Sequence, residues 1–303
     1  MKLEVQNIKK SFGEREILHG ISFAVESGRA MGFLGRNGAG KSTTIRCLMD
    51  VFRQDSGQFL LDDKVFEPRK MRIGYLPEER GMYQKNAVIS QLVYFAMLKG
   101  ASKEEATKSA DYWVDRFSLN DYRNKKLETL SKGNQQKIQI AQAFLNEPDI
   151  LILDEPFSGL DPVNSQVFKD IIAEFVKQGK LVIFSSHQMS YVEEVCDDVT
   201  LIHDGNIVLS GDLDQIKQEE GRGKLYLSMP DMDQNELSNQ IKKAFPALAV
   251  IPWEDGLVLD TKGEDLQGGL LNWLADMNRP IQQFGAFEPS LTDIFIEKVG
   301  EKE

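Results

Sequence analysis

The chain has 303 residues, of which 41% are hydrophobic and 27% are charged, a composition typical of globular proteins with room for one large and one small domain. No apolar run approaches the roughly 20 residues of a membrane-spanning helix, and the N-terminal segment lacks the apolar core of a signal peptide. We therefore predict no membrane span and no secretion. Cys47 and Cys196 lie far apart in sequence and are interpreted as buried thiols in a reducing cytoplasm.

The net charge of −11 is unevenly distributed. Residues 211–303 carry 18 acidic and 9 basic side chains, a net of −9, which leaves −2 for residues 1–210. Neither part is basic, as nucleic-acid-binding domains usually are. We therefore expect no nucleic-acid partner.

The first third of the chain combines strand patterns with one glycine-rich loop. Residues 2–9 and 16–25 are predicted strands, and residues 30–34 form a short apolar run typical of a buried strand. The loop fits the pattern G-x-x-x-x-G-K-[ST], and the residues after it are predicted to continue as a helix. It consists of Gly35, Arg36, Asn37, Gly38, Ala39, Gly40, Lys41, Ser42 and Thr43.

This loop has the chemistry of a nucleotide phosphate site. Glycines let successive backbone N–H groups curl around an anion, and the N-terminus of the following helix adds partial positive charge. Lys41 is expected to reach the β- and γ-phosphates, and the hydroxyl of Ser42 is expected to bind Mg²⁺. The alternative is a glycine-rich turn with a chance lysine, which the flanking strand and helix disfavour.

Helices dominate the middle of the chain. Residues 89–117 have a helical pattern that is interrupted at 100–102, where Ser102 and Glu105 predict a capping box for a second helix. Another helix is predicted over 132–146.

Two later strands end in groups that could act on a phosphate. Ile150–Leu153 and Leu181–Phe184 are continuous apolar runs, the pattern of strands buried on both faces of a parallel sheet. After the first run, Asp154 is assigned to Mg²⁺ and Glu155 to the attacking water, because phosphoryl transfer depends on positioning and charge. His187, after the second run, is predicted to contact the γ-phosphate one strand on from Glu155. The alternative for the acids is a solvated pair at a strand end.

The composition changes after residue 211. Residues 219–223 are predicted to be a linker or an exposed turn, and the patterns beyond them follow the order βαββαβ. That order predicts a small α+β, ferredoxin-like domain over 216–303, after a first domain over 1–215.

Taken together, the motifs resemble those of the ATP-binding cassette (ABC) ATPase family. Leu130–Gln136 resembles the family's signature sequence, Ser158–Asp161 its D-loop, and Phe12 the aromatic residue on which adenine stacks. The resemblance spans residues 2–210, with the motifs in family order and spacing. It implies an α/β P-loop NTPase cassette with a RecA-like core, an antiparallel β subdomain and a helical subdomain at about 86–145, and ATP and Mg²⁺ as cofactors.

The resemblance also implies a dimer. Two cassettes, either two copies of this chain or this chain and a paralogue, would face each other head to tail. Ser131 and Gly133 of one cassette would then complete the nucleotide site of the other, and His187 would be the switch histidine. ATP would hold the pair together until hydrolysis loosens it.

Two positions depart from the family pattern. Lys132 stands where the signature usually has glycine, but Ser131 and Gly133 remain, so we expect phosphate contact to survive. Glu78 stands where the Q-loop usually has glutamine. It can bind Mg²⁺ through an oxygen but cannot donate a hydrogen bond when ionised. A solvated acid is the alternative at this position.

Residues 79–83 and 288–295 narrow the resemblance to ATPase subunits of bacterial ABC-2-type exporters, including the sodium-extrusion and drug-resistance groups. This implies a separate ABC-2-type membrane permease that docks on the helical segment, and a peripheral position on the cytoplasmic face of the cell membrane. Tyr83, Tyr94 and Phe95 are candidates for the docking groove. They equally fit the core of the helical subdomain, which is the preferred interpretation for Phe95.

Three other functions compete with the exporter. A soluble ABC ATPase of translation or DNA repair typically has two cassettes, long coiled-coil insertions or zinc cysteines, which this sequence lacks. An importer subunit shares all the catalytic motifs. A regulatory module that no longer hydrolyses ATP is disfavoured by Glu155 and His187.

Overall fold

A computed structural model of the chain describes residues 1–79, 81–264 and 266–300. Arg80, in the stretch at 79–83 that resembles exporter ATPases, lies outside the described residues, as do Asp265 and residues 301–303 of the predicted C-terminal domain. The chain divides into two compact units, residues 1–213 and 214–303. Among the described residues, no helix combines the length and apolar character needed to cross a bilayer.

The first unit contains ten strands and six α-helices in its described residues. In chain order they are β1 (Lys2–Phe12), β2 (Arg15–Glu26), β3 (Ala30–Leu34), α1 (Lys41–Leu48), β4 (Ser56–Leu61), β5 (Lys64–Val65), β6 (Ile73–Leu76), α2 (Val88–Leu98), α3 (Lys103–Arg116), α4 (Lys132–Phe144), β7 (Ile150–Asp154), α5 (Pro162–Lys177), β8 (Leu181–Ser186), α6 (Met189–Val195), β9 (Asp198–His203) and β10 (Asn206–Asp212).

A six-stranded sheet forms the centre of this unit. Its order is β10-β9-β3-β8-β7-β6, and every neighbouring pair is parallel except β10 with β9. Every residue of β3, β7 and β8 is buried, which confirms the prediction of strands covered on both faces. Since the strands are parallel, the carboxyl ends of β3, β8, β7 and β6 lie along one edge of the sheet.

An antiparallel sheet of order β2-β1-β4-β5 adjoins this core. Apolar side chains from β1, β2 and β4 pack with those of the central sheet and α1 in one hydrophobic cluster that includes Leu3, Phe33, Ile45 and Ile152. The predicted α/β cassette with an antiparallel β subdomain is therefore confirmed.

Helices α2, α3 and α4 form the predicted helical subdomain. The break at Gly100–Ser102 is present, and Ser102 and Glu105 form the capping box, with each side chain bonded to the backbone N–H of the other residue. The subdomain is joined to α5 by a cluster of aromatic rings. Phe144 lies at its centre, 4.9 Å from the ring of Trp113 and 4.8 Å from that of Phe175.

The preferred interpretation placed Phe95 in the core of the helical subdomain, but the structure places it at the surface. Its side chain is half-buried, and its ring stacks on that of Tyr83 at 6.0 Å. The buried face of α2 is formed by other residues, among them Leu92 and Ala96, which turns Phe95 toward the surface. Tyr83, Tyr94 and Phe95 thus form an aromatic surface patch, with Tyr83 and Tyr94 about half exposed.

The elements of the second unit are α7 (Leu213–Gly221), β11 (Lys224–Ser228), α8 (Gln234–Ala244), β12 (Ala249–Trp253), β13 (Gly256–Asp260), α9 (Gln267–Asp276), β14 (Gln283–Ala286) and α10 (Leu291–Gly300). Its four strands form an antiparallel sheet of order β12-β13-β11-β14. Helix α8 connects β11 to β12, which lie on either side of β13, and helix α9 connects β13 to β14, which lie on either side of β11. This is the split βαβ arrangement of a ferredoxin-like unit.

The interpretation of residues 219–223 as a linker or an exposed turn is wrong for residues 219–221, because helix α7 continues to Gly221. Tertiary contacts hold this part of the chain in the second unit. Lys217 pairs with Glu288 at 2.9 Å, and Glu220 pairs with Lys298 at 2.6 Å. Only residues 222–223 form the turn into β11.

We expect Phe144→Ala to lower the free energy of unfolding of the first unit by about 3–5 kcal/mol, because it leaves a cavity inside the aromatic cluster. Urea unfolding followed by Trp113 fluorescence, in a Trp253→Phe/Trp273→Phe background, measures this. Phe144→Leu should have a smaller effect. Leu98→Ala, a change to an exposed side chain on the same subdomain, should stay within about 0.5 kcal/mol. Equal effects of Phe144→Ala and Leu98→Ala would contradict this packing.

Candidate nucleotide-binding site

The loop between β3 and α1 needs glycine for two different reasons. Gly38 and Gly40 both have left-handed backbones, with φ of 84° and 116°. A Cβ on Gly40 would lie 2.7 Å from Leu18 Cδ2, so this glycine permits close packing of the loop. A Cβ on Gly38 would meet no described heavy atom within 4 Å, so its backbone is open to a ligand.

Lys41 begins α1 and is buried, with 6% of its surface exposed. Its Nζ donates a hydrogen bond of 2.6 Å to the carbonyl oxygen of Gly35. Burial lowers the pKa of Lys41, while the nearby carboxylates of Glu155, Asp154 and Glu78 act to raise it. The ammonium group therefore lies between the loop and the acidic groups at the strand ends.

Loop and acidic residues enclose a common cavity of about 340 Å³. The acids come from the ends of two neighbouring strands, Glu78 from beyond β6 and Asp154 and Glu155 from the end of β7. Parallel pairing brings these strand ends to the edge where the loop follows β3. The lining is Arg36, Asn37, Gly38, Gly40, Lys41, Ser42, Thr43, Glu78, Asp154 and Glu155.

Asp154 is 3% exposed and accepts a hydrogen bond from the hydroxyl of Ser185. The two residues are in register on the adjacent strands β7 and β8. Ser185 is itself fully buried, so its hydroxyl orients the carboxylate inside the protein. The role of Ser185 was not predicted from the sequence. The pattern that could have indicated it is a polar residue, Asp154 or Ser185, directly after the apolar run of each of two neighbouring strands.

Glu155 has a left-handed backbone, with φ of 51°, which is unusual for a residue other than glycine. Its Oε2 lies 3.4 Å from the Ser186 hydroxyl, which donates to it, and its Oε1 lies 2.8 Å from His187 Nδ1. That second contact lacks hydrogen-bond geometry, so the buried Oε1 has no hydrogen-bond partner among the described residues. A buried acceptor without a partner is costly, and it fits a site that a ligand or water completes.

Several predicted site residues are absent from the described lining of this cavity. Gly35 and Ala39 are buried members of the loop, and His187 contacts the lining residue Glu155. Phe12 is 45% exposed and contacts the edge of Phe52 at 5.3 Å.

Ser131 and Gly133, also absent from that lining, begin helix α4. The Ser131 hydroxyl accepts a 3.3 Å hydrogen bond from the backbone N–H of Asn134, as an N-cap does. A Cβ on Gly133 would lie 3.4 Å from the carbonyl oxygen of Gly159. The start of α4 therefore lies against the 158–161 loop.

Comparison with known proteins identifies the family. A family model described as ABC transporter matches residues 18–158. The uncharacterized ABC transporter ATP-binding protein YhaQ of Bacillus subtilis is 39% identical over 98% of this chain and 98% of its own. The chain belongs to the ATP-binding proteins of ABC transporters.

Two further similarities extend over much of this ABC ATPase. The bacitracin transport ATP-binding protein BcrA of Bacillus licheniformis is 30% identical over 98% of this chain and 97% of its own. A solved structure of the ATP-binding subunit of an ABC transporter superposes with a TM-score of 0.68 and 27% identity, covering 80% of this chain and 100% of that one. The protein is thus an ATP-binding subunit of an ABC transporter and an ATPase.

We expect Lys41→Ala to weaken ATP binding about ten- to a hundredfold, the range for losing a charge-assisted hydrogen bond worth about 1.5–3 kcal/mol. Titration with a fluorescent ATP analogue measures this. Lys103→Ala, a change to an exposed lysine at the start of α3, serves as the control and should bind normally. Normal ATP binding by Lys41→Ala would contradict the assignment of the loop.

Proposed function

We propose that this ABC ATPase drives a bacterial exporter, as a dimer on the cytoplasmic face of the membrane bound to a separate ABC-2-type permease. The observation that supports hydrolysis most directly is the buried Oε1 of Glu155, which has no hydrogen-bond partner among the described residues and lies beside the phosphate loop.

In this proposal the loop 35–43 binds the phosphates of ATP through backbone N–H groups, and Lys41 turns from Gly35 toward the β- and γ-phosphates. Mg²⁺, when bound, would neutralise phosphate charge, with Ser42, Asp154 and Glu78 as its holders. Three features fit that role: the acids share the cavity with the loop, their oxygens suit a hard cation, and Asp154 is already oriented by Ser185.

Glu155 is proposed to hold and polarise the attacking water. Its left-handed backbone and the Ser186 hydroxyl fix the carboxylate, leaving Oε1 to accept a hydrogen bond from that water. His187 lies next to the same oxygen, so it is positioned to contact the γ-phosphate opposite the water.

The dimer is proposed because Ser131 and Gly133 lie at the N-terminus of α4 and are absent from the described lining of their own chain's cavity. Backbone N–H groups and the Ser131 hydroxyl at this helix end suit a phosphate. The ATP bound to a second cassette, identical or paralogous, would contact Ser131 and Gly133. Phe12 would stack on the adenine of the ATP that is bound to its own chain.

The proposals of export and of a permease partner rest on two features. BcrA, which is named for bacitracin transport, aligns with both units of this chain. The aromatic patch of Tyr83, Tyr94 and Phe95 offers exposed apolar area on the helical subdomain, where a permease segment could be received. An importer ATPase would have the same catalytic site, so the identity of the permease decides the direction of transport.

We expect Glu155→Gln to lower kcat for ATP hydrolysis at least about a hundredfold, because the uncharged amide cannot polarise the water as the carboxylate does. The ATP dissociation constant should change less than about threefold, since the amide has nearly the same shape. Steady-state hydrolysis and analogue binding measure the two quantities, with the exposed Glu128→Gln as the control. Unchanged hydrolysis would remove Glu155 from its proposed role.

We expect a polytopic permease to co-purify in stoichiometric amount when the tagged chain is isolated from gently solubilised membranes of its native host. Mass spectrometry identifies the partner. Tyr83→Ser/Tyr94→Ser should reduce its recovery while the ATPase activity of the isolated subunit persists. Recovery mainly with ribosomes or nucleoid proteins would instead favour a soluble ABC ATPase and overturn the exporter proposal.

A further inference from the structure

His187 is held in place weakly by its own surroundings. Its side chain is 48% exposed, and the polar contact described for its ring is the 2.8 Å approach to Glu155 Oε1. It lies in the short connection between β8 and α6. The position of its ring therefore depends on what fixes these two flanking elements.

Strand β8 is fixed by complete burial, but α6 is not. The helix has seven residues, and of these only Val192 is buried. Its N-terminus has no side-chain cap among the described residues. A helix this short is unstable by itself, so tertiary contacts must hold it. Val192 supplies one such contact by packing over Gly32, where a Cβ would overlap it.

Tyr191 supplies a second contact, with the loop that follows β7. Its ring stacks on that of Phe157, with a centroid distance of 4.3 Å and an interplanar angle of 7°. Phe157 follows Glu155 by two residues and is 4% exposed, packed against Phe168 and Phe184. The stack therefore joins α6 to the loop that contains Glu155.

Lys169 of α5 makes a further contact with the Tyr191 ring. Its Nζ lies 5.3 Å from the centroid of the Tyr191 ring, a cation–π geometry. The same ammonium pairs with Glu194 of α6. Tyr191 is thus in contact with α5 and with the loop after β7 through one ring.

We propose that Tyr191 is a positioning residue for ATP hydrolysis: its stack on Phe157 keeps α6, and with it His187, next to Glu155. This rests on the proposed roles of His187 and Glu155. The stack lies on the side of the site that acts on the attacking water, and Tyr191 is absent from the described lining of the phosphate cavity. Loss of the stack should therefore impair turnover without impairing nucleotide binding.

The kinetic test compares Tyr191→Ala with Tyr191→Phe. The alanine variant should lower kcat about ten- to a hundredfold, as expected for a displaced catalytic group, with KM and analogue binding within about twofold. The phenylalanine variant keeps the stacked ring and should restore kcat to within about twofold. Tyr112→Ala is the control for loss of a tyrosine ring elsewhere. Equal loss in the alanine and phenylalanine variants, or no loss in either, would overturn the proposal.

A double-mutant cycle tests whether the effect passes through His187. In a His187→Ala background, adding Tyr191→Ala should lower kcat by less than about twofold, because the group that it positions is already gone. The same fold-loss in both backgrounds would show that Tyr191 acts by another route and would overturn the proposal.

A spectroscopic readout separates this proposal from the role of His187 itself. The protein has three histidines, so ¹³C-labelled imidazole signals can be assigned with His187→Ala. Tyr191→Ala should shift the His187 signal and leave those of His19 and His203 unchanged. An unchanged His187 signal would overturn the positioning proposal. Normal turnover by His187→Ala, together with a shifted signal in Tyr191→Ala, would instead overturn the catalytic role proposed for His187.

Discussion

The site depends on the parallel pairing of the buried strands β3, β8 and β7. Strands that are apolar on both faces can slide past each other without exposing one face, so their hydrophobic pattern alone fixes the register poorly. The polar residues at their ends supply the missing restraint. A shift of one residue between β7 and β8 would separate Asp154 from Ser185 and leave a carboxylate buried without its hydrogen bond. The bond that orients the proposed metal ligand therefore also fixes the sheet.

Glu155 combines two locally unfavourable features, a left-handed backbone and a buried oxygen without a hydrogen-bond partner among the described residues. Such strain persists only where the surroundings over-determine the conformation. Here the backbone N–H of Glu155 donates to the carbonyl of Ser185, and Phe157 is packed among other aromatic rings. The packing of the aromatic core thus keeps the Glu155 carboxylate in a conformation ready to accept a ligand. The same packing extends through Tyr191 to helix α6.

The start of α4 contacts the loop that follows β7 in its own chain. Gln136 donates a 3.4 Å hydrogen bond to the carbonyl of Pro156, and Gly133 lies against Gly159. In the proposed dimer, Ser131 would touch the ATP of the other cassette. A change at one nucleotide would then reach the other through a short path of contacts, which is how an interface can respond to hydrolysis.

The sequence by itself determined the glycine-rich loop, the buried strands and the acids that follow them, because each depends on a local pattern of glycine, apolar and charged residues. The sequence also predicted the helical subdomain, its capping box and the βαββαβ order of the second unit. It could not predict contacts between residues that are distant in the chain. Residues 219–221 resemble a linker by composition, yet they belong to helix α7, which is held by the ion pairs Lys217–Glu288 and Glu220–Lys298. The roles of Ser185 and Tyr191 depend on strand register and ring stacking, which only the tertiary structure decides.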